Sequence, residues 1–187
     1  MVEFRCETER LILRDWREED FELFFKHTNT PAVMKWLGGV LPEENHQWMR
    51  DRLETYRRDN GFTFWVLERK SDGGDLTGEF LGFCGLKRSN EEGGPIGDVE
   101  IGWRLREDAW GKGYAKEAAM ASLAQGFGRF GAPHILALTV QENTASWGLM
   151  QRLGMERRED LDFESNLFGP ESVIVYSITR EQWKDTL

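Results

Sequence analysis

Six residues, Trp110-Gly111-Lys112-Gly113-Tyr114-Ala115, set two glycines between a strand pattern and a helix pattern. Glycine lacks a Cβ, so main-chain N–H groups at such a turn can approach a ligand closely. The start of a helix adds unpaired N–H donors and a partial positive charge. Together they form an anion site suited to a diphosphate. Two familiar phosphate loops fail on chemistry here. A nucleotide P-loop needs Ser or Thr after its Lys to ligate magnesium, whereas Lys112 is followed by Gly113. A dinucleotide fingerprint needs a third Gly and a carboxylate about 20 positions on. The third-Gly position holds Lys116, and the region of Pro133-His134 offers no acid.

The elements that must hold this turn are readable from periodicity. Val99, Ile101, Trp103 and Leu105 alternate along a strand, which puts Glu100 on the opposite face. Ala115, Ala119, Leu123, Phe127 and Phe130 keep one face of a helix over 113–130 apolar, and Gly131-Ala132-Pro133 ends it. The nearly continuous apolar run 135–140 then reads as an interior strand covered on both faces. Asn143-Thr144-Ala145-Ser146 opens a further helix that Gly154 closes. Strand, helix, strand, helix in this order implies a parallel crossover.

Upstream, strands are expected at 10–16, 62–67 and 80–87. A short helix follows Arg17, and Pro42-Glu43-Glu44 opens an amphipathic helix that Asn60-Gly61 closes. A last strand is expected at 172–178. The fold expectation is one α/β domain over residues 1–187 with a mixed central sheet flanked by helices.

Composition narrows the chemistry. A net charge of −9 argues against a nucleic-acid backbone as partner and is compatible with a cationic one, though acidic excess also simply solvates a surface. No apolar run reaches membrane-spanning length and the amino terminus lacks a signal-peptide core, so a cytoplasmic protein is expected. Cys6 and Cys84 are isolated, and His27, His46 and His134 are scattered, so no metal is expected. Cys84, in an apolar run, reads as a buried thiol.

The glycine turn resembles the pyrophosphate loop of the GNAT superfamily of acetyl-coenzyme A-dependent N-acetyltransferases. That pattern is Gln or Arg, two residues, Gly, one residue, then Gly or Ala. Trp110 departs from it at the first position, while Gly113 and Ala115 match. Trp-Gly-x-Gly-Tyr-Ala is similar to the ribosomal-protein-type branch. So are Glu9 to Arg14, Phe80 to Leu86, Asn143 to Ser146, Leu153-Gly154-Met155 and Val175 to Trp183, in that order along nearly the whole chain.

The resemblance implies a GNAT fold whose fourth and fifth strands splay apart around the thioester. It implies acetyl-CoA as co-substrate, with Trp103 and Leu105 facing the pantetheine arm. Main-chain N–H groups of Gly111, Lys112, Gly113, Tyr114, Ala115 and Lys116 would face the pyrophosphate, and Asn143 would hold the arm or cap its helix. Acetyl transfer to an amine needs a base, donors for the carbonyl oxygen and a proton or hydrogen bond for the departing sulfur. Glu100 is the base candidate, with Asp98 as alternate. Ser146 is the candidate for the sulfur, because the position where many members carry a Tyr acid is Met150 here.

The acceptor pocket is expected from segments 33–48, 90–98 and 160–171, with Trp36, Trp48 and Phe168 as possible walls for a cation or for packing. The acceptor is a primary amine, of a small molecule or a protein amino terminus. The protein is expected as monomer or homodimer. The alternative is a non-catalytic acyl-CoA-binding module acting through a partner.

Overall fold

The computed structural model describes residues 3–166, 168, 169 and 172–186. Its strands are β1 (Arg5–Glu7), β2 (Leu11–Arg14), β3 (Phe64–Arg69), β4 (Phe80–Arg88), β5 (Val99–Leu105), β6 (His134–Val140), β7 (Glu156–Arg157) and β8 (Val173–Thr179). Its helices are α1 (Glu18–Thr28), α2 (Pro31–Met34), α3 (His46–Asn60), α4 (Tyr114–Gly128), α5 (Thr144–Arg152) and α6 (Arg180–Asp185). The strands form one mixed sheet in the order β1-β2-β3-β4-β5-β6-β8-β7. Strands β1 to β5 are an antiparallel meander. Helix α4 then carries the chain to β6, which runs parallel to β5.

The splay follows from this pairing. Strand β5 is registered along its whole length with β4, from Gly82↔Leu105 to Arg88↔Val99. Its register with β6 consists of the single pair Glu100↔Leu136. Beyond Glu100 the two strands share no registered pair. These are the strands that the family resemblance counts as fourth and fifth.

Helix α4 covers one face of the sheet. Ala118, Ala119, Leu123 and Phe127 join Leu86, Ile101, Ile135 and Ile178 in the main core. Gly126 lets it lie close, since a Cβ there would come within 2.5 Å of Ile135 Cδ1. The opposite face is covered over β3 and β4 by Phe24 of α1 against Val66, Phe80 and Phe83. Over β6 and β8 it is covered by Phe163 against Leu136, Leu138, Val173 and Val175. Strand β6 is thus buried on both faces, as its unbroken apolar run requires. Cys84 is fully buried beside Ser122, and burial pushes its thiol up to about 12. No helix among the described residues is long and apolar enough to cross a membrane.

Three boundaries differ from the sequence expectation. Glu43–Asn45 form a 3-10 turn before α3, which begins only at His46. The strand expected over 10–16 is regular only over Leu11–Arg14. Beyond it the Asp15 N–H still donates to Phe4 O at 3.2 Å, but the Phe4 N–H is taken by the Asp15 carboxylate at 2.8 Å instead of a main-chain carbonyl. The chain after β8 is helical, because Thr179 and Gln182 cap α6 reciprocally.

Candidate active site

The gap between β5 and β6 opens into a cleft of about 730 Å³ that runs on across the α1 side of the sheet. Its walls include Trp103, Leu105, Gly111, Gly113, Tyr114, Ala115 and Lys116 toward α4, and Asn143, Ser146 and Met150 from the α5 side. At its other end stand Trp36, Tyr56, Phe83, Lys87, Glu91, Glu100 and Arg104. One continuous cleft therefore reaches both the glycine turn and Glu100.

The glycine turn owes its shape to two left-handed residues, Gly111 at φ +71° and Gly113 at φ +82°. The first helix-type bond of α4 comes from the Glu117 N–H to Gly113 O, at 3.1 Å. The N–H groups of residues 111 to 116 donate to no acceptor among the described residues. Unpaired N–H donors at a helix start fit a diphosphate.

The turn is braced from outside. Arg10 Nη1 donates to Lys112 O at 3.0 Å, and Arg10 Nε donates to Glu117 Oε2 at 2.7 Å. The Lys112 ammonium is held by Asp75 at 2.5 Å, and Lys112, between Gly111 and Gly113, is not part of the cleft wall. Tyr114 offers the cleft main chain, since its ring is buried and its hydroxyl donates to Asp75 O at 3.0 Å.

Glu100 is 6% exposed, so water solvates it poorly. Lys87 Nζ lies 3.1 Å from its Oε2 but not at a hydrogen-bonding angle, and that oxygen has no hydrogen-bond partner among the described residues. Burial pushes the Glu100 carboxyl above its ordinary range, Lys87 opposes the shift, and the neighbouring Glu91 adds to it. A buried carboxyl with a raised pKa holds a proton more tightly than an exposed one, the direction that general-base chemistry requires.

Asn143 caps α5, its Oδ1 accepting from the Ser146 N–H at 3.4 Å. The Ser146 hydroxyl lines the cleft with no partner among the described residues. Asp98 lies outside the cleft wall, 3.1 Å from His134 Nε2. Of the expected acceptor segments, the first contributes Trp36, the second Glu91 and the third Phe168. Positions 167, 170 and 171 of the third segment lie outside the described residues. Trp48 is 52% exposed and away from the cleft. The rings expected to meet an incoming cation already carry the chain's own, Lys35 over Trp36 at 4.5 Å and Arg52 over Trp48 at 5.0 Å.

The acetyltransferase (GNAT) domain model matches residues 10–156. The chain belongs to the GNAT acetyltransferase family. An uncharacterized N-acetyltransferase of Bacillus subtilis, YnaD, is 31% identical over 94% of this chain and 97% of its own length. An acetyltransferase structure from Agrobacterium tumefaciens superposes with a TM-score of 0.77 at 22% identity, covering 95% of each chain. The spermidine N-acetyltransferase of Vibrio cholerae, solved with CoA and spermine, gives 0.74 at 18% identity over 95% of this chain and 99% of that one.

Acetyl-CoA is the acetyl donor of GNAT enzymes, and the unpaired N–H groups at the helix start of this GNAT chain suit its diphosphate. Four charged groups of the acetyltransferase cleft escaped the sequence reading. Lys87 touches Glu91 at 3.3 Å and Asn90 Oδ1 at 2.9 Å as well as Glu100. Arg52 reaches Glu91 at 2.9 Å and also donates to the Tyr56 hydroxyl. Arg104 makes neither an ion pair nor a hydrogen bond among the described residues, and burial lowers its pKa to about 10. Alternation along β5 was the one signal that placed Arg104 on the Glu100 face.

Proposed function

We propose that this acetyltransferase moves the acetyl group of acetyl-CoA directly to a primary amine in a ternary complex. Glu100 takes a proton from the acceptor ammonium, directly or through water. The amine nitrogen then attacks the thioester carbonyl carbon, the carbon–sulfur bond of the tetrahedral adduct breaks, and the second proton of the attacking nitrogen passes to the departing sulfur, giving the amide and the CoA thiol. Ser146 Oγ–H supplies a hydrogen bond to the departing thiolate. The proton taken by Glu100 leaves to solvent, so the carboxylate is restored without an acetyl-enzyme. The main chain of 111–116 grips the diphosphate, and Trp103, Leu105 and Asn143 border the arm that carries the thioester.

The observation that supports this reading is the placement of one buried, pKa-raised carboxylate in the same cleft as the glycine turn. Thiol release from acetyl-CoA against a panel of amines tests it. Glu100→Gln is expected to lower kcat by about 10²-fold or more while acetyl-CoA affinity is retained. Near-normal turnover of that variant across pH would remove Glu100 from the role. Acetyl-CoA binding without thiol release on any amine would favour the non-catalytic module instead.

A further inference from the structure

Arg104 is the charged group of the cleft that acetyl transfer leaves unused. It lies on the same face of β5 as Glu100 and Gly102, since strand side chains alternate. Its guanidinium carbon stands 5.4 Å from the ring centres of both Phe24 and Phe83. Its Nε is buried with no hydrogen-bond partner among the described residues. The charged neighbour that acts on it, Arg52, is another cation. The rest of the guanidinium is half-buried at the cleft wall, so its Nη donors face the cleft with no protein partner among the described residues, and a guest that also reaches the buried Nε would satisfy a donor that the chain leaves unmet. The guest that matches its planar fork is an oxyanion, most simply a carboxylate accepting two parallel N–H bonds.

That guest is not the diphosphate of the acetyl donor. The glycine turn stands at the start of α4, and the β5 residues that pack with α4 are Val99, Ile101, Trp103 and Leu105. Arg104 faces the other way, toward α1 and β4. The charge balance of the cleft agrees. In a chain of net charge −9, its wall carries six basic side chains, Lys35, Arg52, Lys87, Arg104, Lys116 and Arg152, against two acidic ones, Glu91 and Glu100. Both acids already have cationic partners, Glu91 in Arg52 and Lys87, and Glu100 in Lys87. The second ammonium of a polyamine would meet Arg104, while Glu91 is held by Arg52 and Lys87 and Glu100 serves the reacting ammonium.

We infer that the acceptor carries a carboxylate which pairs with Arg104, so that aminocarboxylates rather than polyamines are the substrate class, an inference that rests on the acetyl-transfer reading above. Glu100 and Arg104 stand four residues apart on one strand face, about 13 Å between Cα atoms at the usual rise. An acceptor that keeps its amine at Glu100 and its carboxylate at Arg104 is expected to favour several bonds between the two groups, which the chain-length series below reads directly.

The test is thiol release by the full chain with glycine, γ-aminobutyrate and ε-aminocaproate, each of the longer two beside the alkylamine and the diamine of equal carbon number. The best aminocarboxylate is expected to exceed its matched alkylamine and diamine in kcat/KM by at least about tenfold, as a site built to pair with a missing group discriminates. Arg104→Met is expected to bring that ratio to within about threefold of unity. Arg104→Lys, which keeps the charge but not the fork, is expected to retain an intermediate ratio.

Diamines or neutral amines that turn over as fast as aminocarboxylates in the unmodified protein would overturn the inference, whether or not the variants fold. So would an Arg104→Met variant that slows all three classes by one common factor. Those outcomes leave acetyl transfer to amines standing. Acetyl-CoA binding with no thiol release on any amine overturns the transfer reading and this inference with it.

Discussion

Glu100 owes its chemistry to a conflict between burial and charge. Removal from water favours its neutral form, while Lys87 at 3.1 Å favours the carboxylate. The sign of each effect makes a prediction. In its proposed role Glu100 must be deprotonated, so kcat/KM is expected to fall on the acid side as pH drops through its pKa, with that limb above the ordinary carboxylate range. Lys87→Met removes the opposing cation, the pKa rises further, and the acid limb moves to higher pH. A pH profile of kcat/KM for both proteins checks this, and a limb that stays in place or moves down would separate Lys87 from the base.

Alternation showed from the sequence that Glu100 turns away from the α4 core, because a two-residue period needs no tertiary information. It gave no hint of Lys87, Glu91 or Arg52. Lys87 ends an apolar run, Arg52 lies on a helix far upstream, and Glu91 sits in a turn, so their meeting is set by how strands and helix pack. The alternate, Asp98, fell the other way for the same reason, since its distance from the cleft depends on the turn and on His134.

Helix α4 and the loop before β2 form the next unit. Glu117, in the first turn of α4, accepts from Thr8 Oγ1 at 2.6 Å, from the Arg10 N–H at 2.7 Å and from Arg10 Nε at 2.7 Å. Arg10 in turn holds Lys112 O. The brace therefore fixes the glycine turn against the second strand. Burial pushes the Glu117 carboxyl up, but these hydrogen bonds outweigh it, and it titrates below its ordinary value. A carboxylate with a lowered folded pKa contributes stability above its unfolded value, and that stability is lost as pH falls through the folded one.

Glu117→Gln is thus expected to lower the urea midpoint at pH about 7, with the difference from the unmodified protein shrinking toward pH about 3. The same variant is expected to raise KM for acetyl-CoA more than KM for the amine. Equal effects on both, or a stability difference that ignores pH, would contradict the brace. The helix itself and its glycine turn were legible, being written in a four-residue period and in residue type. The brace was not, because Thr8 and Arg10 lie more than a hundred positions from Glu117 and carry no mark of their partner.

At the scale of the whole molecule, the sheet is two halves that meet at one registered pair, Glu100↔Leu136, with α4 packed across both. The order of elements announced the parallel crossover, and the family resemblance supplied the splay that periodicity alone does not contain. Charge segregation was hidden in the same way. The sequence shows a net acidic chain, and only folding gathers Arg52, Lys87, Arg104, Lys116 and Arg152 onto one cleft wall. A ligand that fills the gap between the halves binds the folded state and not the unfolded chain, so it must raise stability by mass action.

At a hundredfold excess over its dissociation constant, coenzyme A is expected to add about 2.7 kcal/mol. For a chain of this size that corresponds to a rise in Tm of roughly 5–10 °C. Hydrogen exchange locates the effect. The amides of residues 111 to 116, which donate to no acceptor within the described residues, are expected to become protected on binding, while those of β1 and β2 respond only through the general gain in stability. A melting curve unmoved by millimolar coenzyme A, or protection that appears elsewhere and spares 111 to 116, would mean that the glycine turn does not grip the diphosphate.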